Sequence, residues 1–373
     1  MVPMCDLQAQ YAELQTELEA ALLRSAKAGQ YIMGPNVKAF EREAAAYADC
    51  KYAIGVGNGT DALHISLMAA GIGPGDEVIT TPFTFIATCE AINLVGATPV
   101  FVDIVPDTFN INPALVEQAI TPKTRAILPV HLYGLPCEMN VVLEIADRHG
   151  LIVIEDCAQS FGARYRGKQT GTMGMAGCLS FFPSKNLGCM GDGGMILTND
   201  DAFHERAEML RRHGGKAKYH HTVNGVNSRL DDIQAAVLRV KLPYLDAWNQ
   251  RRQAAAARYA DLLSHCPAVQ LPANVHQAST CVFHQYTVLV DHREQVQTDL
   301  RNAGIATAIY YPVPLHRQEV NRSLGHTPGA FPVSERVAAR CLSLPMSPHL
   351  TEQQQIHVAD QIAASIGRLA RAA

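Results

Sequence analysis

The sequence contains the stretch Ser180-Phe-Phe-Pro-Ser-Lys185-Asn-Leu-Gly-Cys-Met-Gly-Asp-Gly-Gly194, in which a lone lysine follows an apolar strand and precedes a glycine-rich loop. Lysine is rare in apolar surroundings because desolvating an ammonium group is costly, and burial lowers its pKa. A neutral amine is what Schiff-base chemistry requires. A surface lysine at a strand end and a phosphate-binding lysine are the alternatives. A P-loop does not fit, because its glycines precede the lysine and here they follow it.

Strand-type and helix-type segments alternate on both sides of this lysine. Short apolar runs predict strands at 52–56, 77–80, 99–103, 126–130, 151–155, 179–182 and 195–198. Amphipathic stretches at 60–70, 86–95 and 139–149 predict helices between them. This alternation is typical of a doubly wound α/β fold with a mostly parallel seven-stranded sheet. The last two strands follow one another without a helix, so we expect a mixed sheet at that edge.

The length of 373 residues suggests two domains. A charged, Ala-rich helical stretch at about 242–265 predicts the connection between them. The prediction is a large α/β domain at 1–241 and a small C-terminal α+β domain at 242–373. In the second, strands are expected at 283–290 and 305–309, and helices at 296–303 and 351–370.

Composition excludes several classes of protein. Thirty-one Lys and Arg against 35 Asp and Glu give a net charge of -4, which offers little support for nucleic-acid binding. No apolar run approaches the roughly 18 residues of a membrane span. Residues 1–6 lack the basic region and apolar stretch of a signal peptide, so a cytoplasmic location is expected. The ten cysteines form no C-x-x-C pair, which predicts reduced thiols and no metal site.

A carboxylate lies at the end of a buried strand in Leu151-Ile-Val-Ile-Glu155-Asp156-Cys-Ala-Gln159. Open α/β sheets bind ligands at the carboxyl ends of their strands. A helix N-cap is the ordinary alternative for an aspartate at such a turn. Together with a Schiff-base lysine, Asp156 gains a specific task, which is to hydrogen-bond the pyridine nitrogen of pyridoxal phosphate and keep it protonated.

A small-residue turn, Gly55-Val-Gly57-Asn-Gly59-Thr60-Asp61, lies between a strand and a helix. It exposes backbone N–H groups at a helix N-terminus, which favours a phosphate. The turn does not complete G-x-G-x-x-G, so a nicotinamide site is less favoured. Phe85, after the next strand, either stacks on a planar cofactor or packs as ordinary core. A phosphate turn, an aromatic ring, a strand-end aspartate and a lysine follow in the order found in fold-type-I pyridoxal-phosphate enzymes.

Over nearly its whole length the chain resembles the DegT/DnrJ/StrS family of pyridoxal-phosphate-dependent nucleotide-sugar aminotransferases. The segments that carry the resemblance are 29–35, 57–63, 73–79, 84–88, 155–159, 180–185, 191–194 and 227–236. Within the family it is most similar to enzymes that aminate UDP-2-acetamido-2-deoxy-3-keto-glucuronate for surface polysaccharides such as the lipopolysaccharide O-antigen. The resemblance implies transfer of an amino group from L-glutamate to that nucleotide sugar.

The resemblance also implies roles for individual residues around the cofactor ring. Lys185 would bond to the cofactor and shuttle the proton, and Asp156 would pair with the ring nitrogen. Phe85 would stack on the ring, and Gln159 would contact its hydroxyl group.

Other residues would hold the phosphate or the substrate. Gly59, Thr60 and Ser180 would hold the phosphate, and Asn227 would reach the phosphate of the other subunit's cofactor, which implies a homodimer with shared active sites. The residues implied for the substrate are Arg229, Tyr310, Tyr311 and His316. Arg229 would bind the substrate carboxylate, although it could instead tie the dimer interface or cap a helix. At Ile309-Tyr310-Tyr311-Pro the sequence departs from relatives that have His-Tyr-Pro.

Several other functions fit part of the pattern. A 4-keto nucleotide sugar or a keto-inositol is the alternative acceptor, but Gln159 favours the 3-keto class because 4-amino enzymes of the family more often have His there. A dehydratase of the same family would have His in place of Lys185. A non-catalytic regulator has no need of Lys185, Asp156 and Gln159 together.

Overall fold

The computed structural model describes residues 1–217, 219–272 and 278–372. The α-helices are α1 Leu7–Glu13, α2 Gln15–Ala28, α3 Pro35–Ala48, α4 Gly59–Ala69, α5 Ile86–Leu94, α6 Pro113–Val116, α7 Met139–His149, α8 Asp201–Leu210, α9 Asp232–Lys241, α10 Leu245–Leu263, α11 Arg293–Asn302, α12 Pro332–Arg340 and α13 Glu352–Ala372. The strands are β1 Tyr52–Val56, β2 Glu77–Thr80, β3 Thr98–Phe101, β4 Thr124–Ile127, β5 Ile152–Asp156, β6 Arg164–Tyr165, β7 Lys168–Gln169, β8 Ala176–Ser180, β9 Gly194–Thr198, β10 Gly215–Ala217, β11 His220–His221, β12 Val269–Gln270, β13 Ser279–Thr280, β14 Tyr286–Val290 and β15 Cys341–Leu344.

A seven-stranded sheet forms the centre of the fold, in the order β1-β9-β8-β5-β4-β2-β3. Its neighbouring pairs are parallel except for the two pairs that β9 makes, with β1 and β8. The predicted mostly parallel α/β sheet is therefore confirmed. The antiparallel strand β9 is the second strand of the sheet and not the edge strand, because β1 pairs with its outer side. Strand β8 ends at Ser180 and not at 182, since the chain turns away before Pro183.

Alternation along each strand explains why helices cover both faces of this sheet. Ile154 packs in the buried cluster that contains Ile65 of α4. Its neighbour Val153 packs in the cluster that contains Val142 of α7, on the opposite face. Helix α4 begins where the side chain of Asn58 accepts a hydrogen bond from the Asp61 N–H at 2.8 Å. The three helices predicted between the strands correspond to α4, α5 and α7.

The C-terminal part of the chain has its own three-stranded sheet, in the order β12-β14-β15. Helices α10, α11 and α13 pack beside it around a separate buried cluster. The strand expected at 305–309 is wrong: this segment makes isolated bridges at Ile305 and Ala308, and Ala308 pairs with Ser343 of β15. Val2 pairs with Ile305 and is buried in the same cluster. The domain boundary at residues 241 and 242 stays a prediction.

Among the residues that the structure describes, none of the helices has the length and apolar character needed to cross a membrane.

Candidate active site

Three of the predicted site residues, Asp156, Ser180 and Lys185, lie at the carboxyl ends of two neighbouring strands. Asp156 is the last residue of β5 and pairs with Cys178 of β8, whose last residue is Ser180. Lys185 follows in the loop after β8. This edge is where open parallel sheets bind ligands, because the loops and helix N-termini that follow the strands gather there.

Asp156 is a buried carboxylate, 5% exposed. Its Oδ1 accepts from the Ala158 N–H at 3.1 Å, and its Oδ2 accepts from the Thr88 hydroxyl at 2.8 Å. Burial raises the pKa of Asp156, whereas these two hydrogen bonds and the positive charge of Lys185 act in the opposite direction. Each oxygen keeps a lone pair for a further donor, so the carboxylate can hold a protonated ring nitrogen.

Lys185 has a weakened affinity for its proton. Its side chain is half-buried, and burial lowers the pKa of Lys185 to about 8, with the charge of Asp156 acting in the opposite direction. About a tenth of the amine is then neutral at pH 7, far more than for an ordinary lysine. The amine can therefore attack a carbonyl carbon and exchange protons near neutral pH.

The N-terminus of α4 lies against the end of β8. A Cβ atom built on Gly59 would lie 2.7 Å from Cβ of Ser180, so this approach requires a glycine. The Ser180 side chain and the first residues of α4 therefore lie side by side. A helix N-terminus with a neighbouring hydroxyl is suited to a phosphate group.

Phe85 and Gln159, two further predicted residues, both contact Tyr311. The ring of Phe85 is 53% exposed, so Phe85 is not an ordinary core residue. Its centroid lies 5.8 Å from that of Tyr311. Gln159 Nε2 donates to the Tyr311 hydroxyl at 3.1 Å, while Gln159 Oε1 accepts from the Tyr133 N–H at 2.6 Å. The Tyr133 hydroxyl in turn donates to the carbonyl of Tyr310.

Asn227, Arg229 and His316, which were also predicted, have other contacts. Asn227 is exposed and makes a backbone bridge with Arg212. Arg229 is half-buried and lines an open groove of about 800 Å³ together with Arg212 and Lys216. His316 is buried, and its Nε2 lies 3.0 Å from a carboxylate oxygen of Glu335. Within the described ranges, no hydrogen bond joins the side chain of Arg229 or His316 to Lys185 or Asp156.

Two features of the site were not predicted from the sequence. Thr88 orients Asp156, and its own hydroxyl lies 3.0 Å from that of Thr84. Ser228 lies beneath the phosphate turn, where its Oγ accepts from the Gly57 N–H at 2.9 Å and donates to Asp61 at 2.5 Å. The spacing of two threonines four residues apart at a helix start was the available signal for the first.

A buried group of potential metal ligands lies behind Asp156. The ligand atoms of His131, Glu155 and Cys157 lie within 4.8 Å of one another. Glu155 is already saturated, because its oxygens lie 2.9 Å from His131 Nε2 and accept the N–H groups of Gly171, Met173 and Gly174 at 2.8 Å each. These bonds give Glu155 a structural task, which is to anchor the loop that precedes β8.

Comparison with known sequences gives a match along most of the chain. The sequence model described as the DegT/DnrJ/EryC1/StrS aminotransferase family matches residues 12–363.

Individual relatives match at similar levels. A protein of Geobacillus stearothermophilus named pleiotropic regulatory protein is 52% identical, over 97% of this chain and 98% of its own. The UDP-N-acetyl-3-dehydro-alpha-D-glucosamine 3-aminotransferase of Acidithiobacillus ferrooxidans is 46% identical, over 97% of each chain. The UDP-2-acetamido-2-deoxy-3-oxo-D-glucuronate aminotransferase of Pseudomonas aeruginosa is 45% identical, over 94% of this chain and 96% of its own.

The structure is also similar to solved structures. DesV of S. venezuelae, crystallised in complex with a ketimine intermediate, superposes with a TM-score of 0.95 at 46% identity. The match covers 97% of this chain and 98% of that one.

Proposed function

Because the chain belongs to the DegT/DnrJ/EryC1/StrS aminotransferase family, we propose that it transfers an amino group from L-glutamate to a 3-keto nucleotide sugar, UDP-2-acetamido-2-deoxy-3-keto-glucuronate. Its class is that of the pyridoxal-phosphate-dependent aminotransferases that act on keto nucleotide sugars. The predicted fold-type-I aminotransferase fold is confirmed by the likeness to the S. venezuelae enzyme.

The donor set of the site fits pyridoxal phosphate. Gly59 and Thr60 at the start of α4, with Ser180, would hold the phosphate, and the buried Asp156 would hold the ring nitrogen. Phe85 offers an exposed aromatic face, and Lys185 offers an amine of lowered pKa. When bound, pyridoxal phosphate supplies an electron sink for the carbanion formed at the carbon that gains or loses the amino group.

The residues of the chain then have separate tasks. Lys185 holds the cofactor and moves a proton between its Nζ and the reacting carbon, which its pKa of about 8 permits at neutral pH. Asp156 holds the proton on the ring nitrogen, and Thr88 keeps the carboxylate aimed at it. Gln159 is held by Tyr133 and Tyr311, and it would contact the ring hydroxyl.

A homodimer with shared sites is part of the proposal. Asn227 is exposed, while the next residue, Ser228, is buried against the phosphate turn of its own chain. Asn227 therefore projects outward from the same segment. This placement supports a contact between Asn227 and the cofactor phosphate of the partner subunit. We also propose that the enzyme is cytoplasmic.

The names of two relatives are the observation that carries the choice of acceptor. One relative acts on a 3-oxo-glucuronate and the other on a 3-dehydro-glucosamine, so both names place the ketone at carbon 3 of a UDP-linked sugar. The second candidate acceptor is accordingly the uncharged 3-keto-glucosamine. Arg229, near Arg212 and Lys216 in the same groove, supports the uronate, because a guanidinium binds a carboxylate through two hydrogen bonds.

The regulatory name of the Geobacillus relative does not change this proposal. A regulator would not need Lys185, Asp156 and Gln159 arranged as a transaminase needs them. Adding glutamate to the cofactor-loaded protein tests the point, since an aminotransferase converts the bound cofactor to its amine form and its visible absorbance falls. An unchanged spectrum would contradict the proposed donor.

A panel of acceptors tests the substrate. Glutamate-dependent amination is measured by mass on the 3-keto-glucuronate, the 3-keto-glucosamine, a 4-keto nucleotide sugar and a keto-inositol. We expect the highest kcat/KM on the glucuronate. Faster amination of the 4-keto sugar or the keto-inositol would overturn the 3-keto proposal, and faster amination of the glucosamine would replace the uronate with the second candidate.

A further inference from the structure

A buried polar network links the residue after Lys185 to the C-terminal part of the chain. Asn186, Asn249 and His284 are 4%, 5% and 5% exposed. Asn186 Nδ2 donates to Asn249 Oδ1 at 2.7 Å and to the Val282 carbonyl at 3.0 Å. Because both hydrogens of this amide are used, its Oδ1 acts as the acceptor for His284 Nδ1, at 3.1 Å.

These partners assign the tautomer of His284. The proton is on Nδ1, and Nε2, which lies 3.3 Å from Gln285 Nε2, is the acceptor. Burial, together with the positive charges of Lys185 and Arg252, lowers the pKa of His284 well below its usual value. His284 is therefore neutral at physiological pH and acts as a donor through Nδ1.

The backbone of His284 is itself held in place. Its N–H donates to the Tyr133 carbonyl at 2.9 Å, and the Val282 N–H donates to the Gly134 carbonyl at 3.1 Å. Gly134 has a φ of +91°, and a Cβ atom there would lie 2.8 Å from Val282 and 3.1 Å from the His284 nitrogen. Arg252 adds a hydrogen bond to the His284 carbonyl at 3.5 Å. The imidazole thus has a fixed position from which to act on Asn186.

We propose that His284 is a positioning residue for Lys185, and that its Nδ1–H bond to Asn186 fixes the loop from which the lysine side chain projects. The inference rests on the proposed function, since it takes Lys185 as the amine that bonds to the cofactor. Burial is what keeps the pKa of Lys185 at about 8. A loop released from His284 exposes the amine to water, and its pKa then rises toward the ordinary value.

Two substitutions at one position separate this bond from simple packing. His284→Leu removes the donor. His284→Asn keeps an amide N–H close to the position of Nδ1–H. His349→Leu is the matched control, because His349 is a partly buried histidine that pairs with Glu13 at 2.8 Å, outside this network. If His284→Leu does not fold, Asn186→Ala removes the acceptor of the same bond and is measured in its place.

The first measurement is the pH midpoint for chemical modification of Lys185 in the cofactor-free protein, read by peptide mass. The second is the pH titration of the visible absorbance of the holoenzyme. In His284→Leu we expect both midpoints to rise by about half a pH unit or more, and kcat to fall tenfold to a hundredfold through misplacement of the amine. His284→Asn and His349→Leu should keep the wild-type midpoints.

Unshifted midpoints in His284→Leu would overturn the inference, and so would an equal shift in His284→Asn. Borohydride reduction of the holoenzyme labels the lysine that bonds to the cofactor. It therefore distinguishes a failure of this inference from a failure of the proposed function. A label on a lysine other than Lys185 contradicts the proposed function whatever the midpoints show. A label on Lys185 with unshifted midpoints contradicts the role of His284 alone.

Discussion

Lys185 and Asp156 show how burial prepares single residues for chemistry. Burial lowers the pKa of the lysine and raises that of the aspartate, so each is moved toward its neutral form. Their mutual attraction acts against both shifts, as do the hydrogen bonds of Ala158 and Thr88 to the carboxylate. The site thus combines an amine that readily loses its proton with a buried carboxylate whose charged form is stabilised by specific donors.

The pH dependence of cofactor binding by the cofactor-free protein tests whether the pKa of Lys185 is lowered. Only neutral Lys185 can bond to the cofactor, and the neutral fraction rises as pH increases through the pKa of about 8. We expect the rate of capture by the cofactor-free protein to rise to about pH 8 and level off above it. Lys185→Ala should abolish turnover while the fold survives. A capture rate that keeps rising toward pH 10 would mean that burial does not lower this pKa.

Thr88 gives a test of how the carboxylate is oriented. Thr88→Val removes the hydroxyl donor to Asp156 Oδ2, and hydrogen bonds to charged groups contribute about 1.5–3 kcal/mol. We expect kcat to fall roughly tenfold to a hundredfold. The hydrogen bond from Thr88 stabilises the charged carboxylate, so its loss raises the pKa of Asp156 and moves the acid limb of the pH profile to higher pH. Thr88→Ser keeps the hydroxyl and should stay near wild type. Equal losses in both variants would contradict this role.

Arg229 tests the charge of the acceptor. Arg229→Ala should weaken binding of the uronate tenfold to a few hundredfold, the effect of losing a charge-assisted pair of hydrogen bonds worth about 1.5–3 kcal/mol. The uncharged hexose analogue should lose much less. The measurement is KM for both sugars in wild type and variant. Equal losses on the two sugars would show that Arg229 does not bind the carboxylate.

The sequence predicts the groups that are proposed to act chemically more readily than the groups that orient them. Lys185 and Asp156 stand out because a charged residue after an apolar strand is unusual, and the structure brings both to one edge of the sheet. Thr88 and His284 were missed because a buried threonine or histidine has many ordinary reasons to be there. Only the three-dimensional contacts give them partners in the site.

At the scale of elements, the junction of α4 with β8 forms the proposed phosphate cradle, where Gly59 lies against Ser180. Gly59→Ala tests it, because the new Cβ would lie 2.7 Å from Cβ of Ser180 and must push the helix start away. We expect the affinity for pyridoxal phosphate to fall roughly tenfold, which is about 1.4 kcal/mol. Gly73→Ala is the control, since its Cβ would lie 3.9 Å from the nearest atom, a carbonyl oxygen of Val95. Unchanged affinity in Gly59→Ala would mean that the cradle tolerates the shift.

Secondary structure followed the pattern of apolar residues closely in the central sheet and less closely in the C-terminal part. Parallel strands buried on both faces read as continuous apolar runs, which is why the seven strands could be predicted. Strand β15 was not predicted, because Cys341–Leu344 is four residues long and follows a helix directly. Its pairing with β14 is a long-range contact that local pattern does not encode.

For the molecule as a whole, mixing two defective variants tests the shared sites. In a mixed dimer, one subunit carries Lys185→Ala and the other carries Asn227→Ala. If Asn227 acts on the partner's cofactor, one of the two sites then has both a wild-type Lys185 and a wild-type Asn227. Asn227→Ala alone should weaken cofactor binding roughly tenfold through loss of a hydrogen bond to a charged group. Mixed dimers should therefore regain activity at limiting cofactor. No gain over the separate variants would place Asn227 in its own subunit's site or outside both.

The antiparallel pairing of β9 in the central sheet also has a consequence for biosynthesis. Strand β1 joins the sheet through β9, where Tyr52 pairs with Thr198 and Val56 with Gly194. The ribosome synthesises β1 before the other strands of the central sheet, and its partner β9 is the last of them to be synthesised. An unpaired strand on a growing chain is prone to aggregation, and such distant pairing slows folding. A nascent polypeptide shorter than about 200 residues therefore leaves β1 without its pairing partner, and chaperones have this interval in which to bind it.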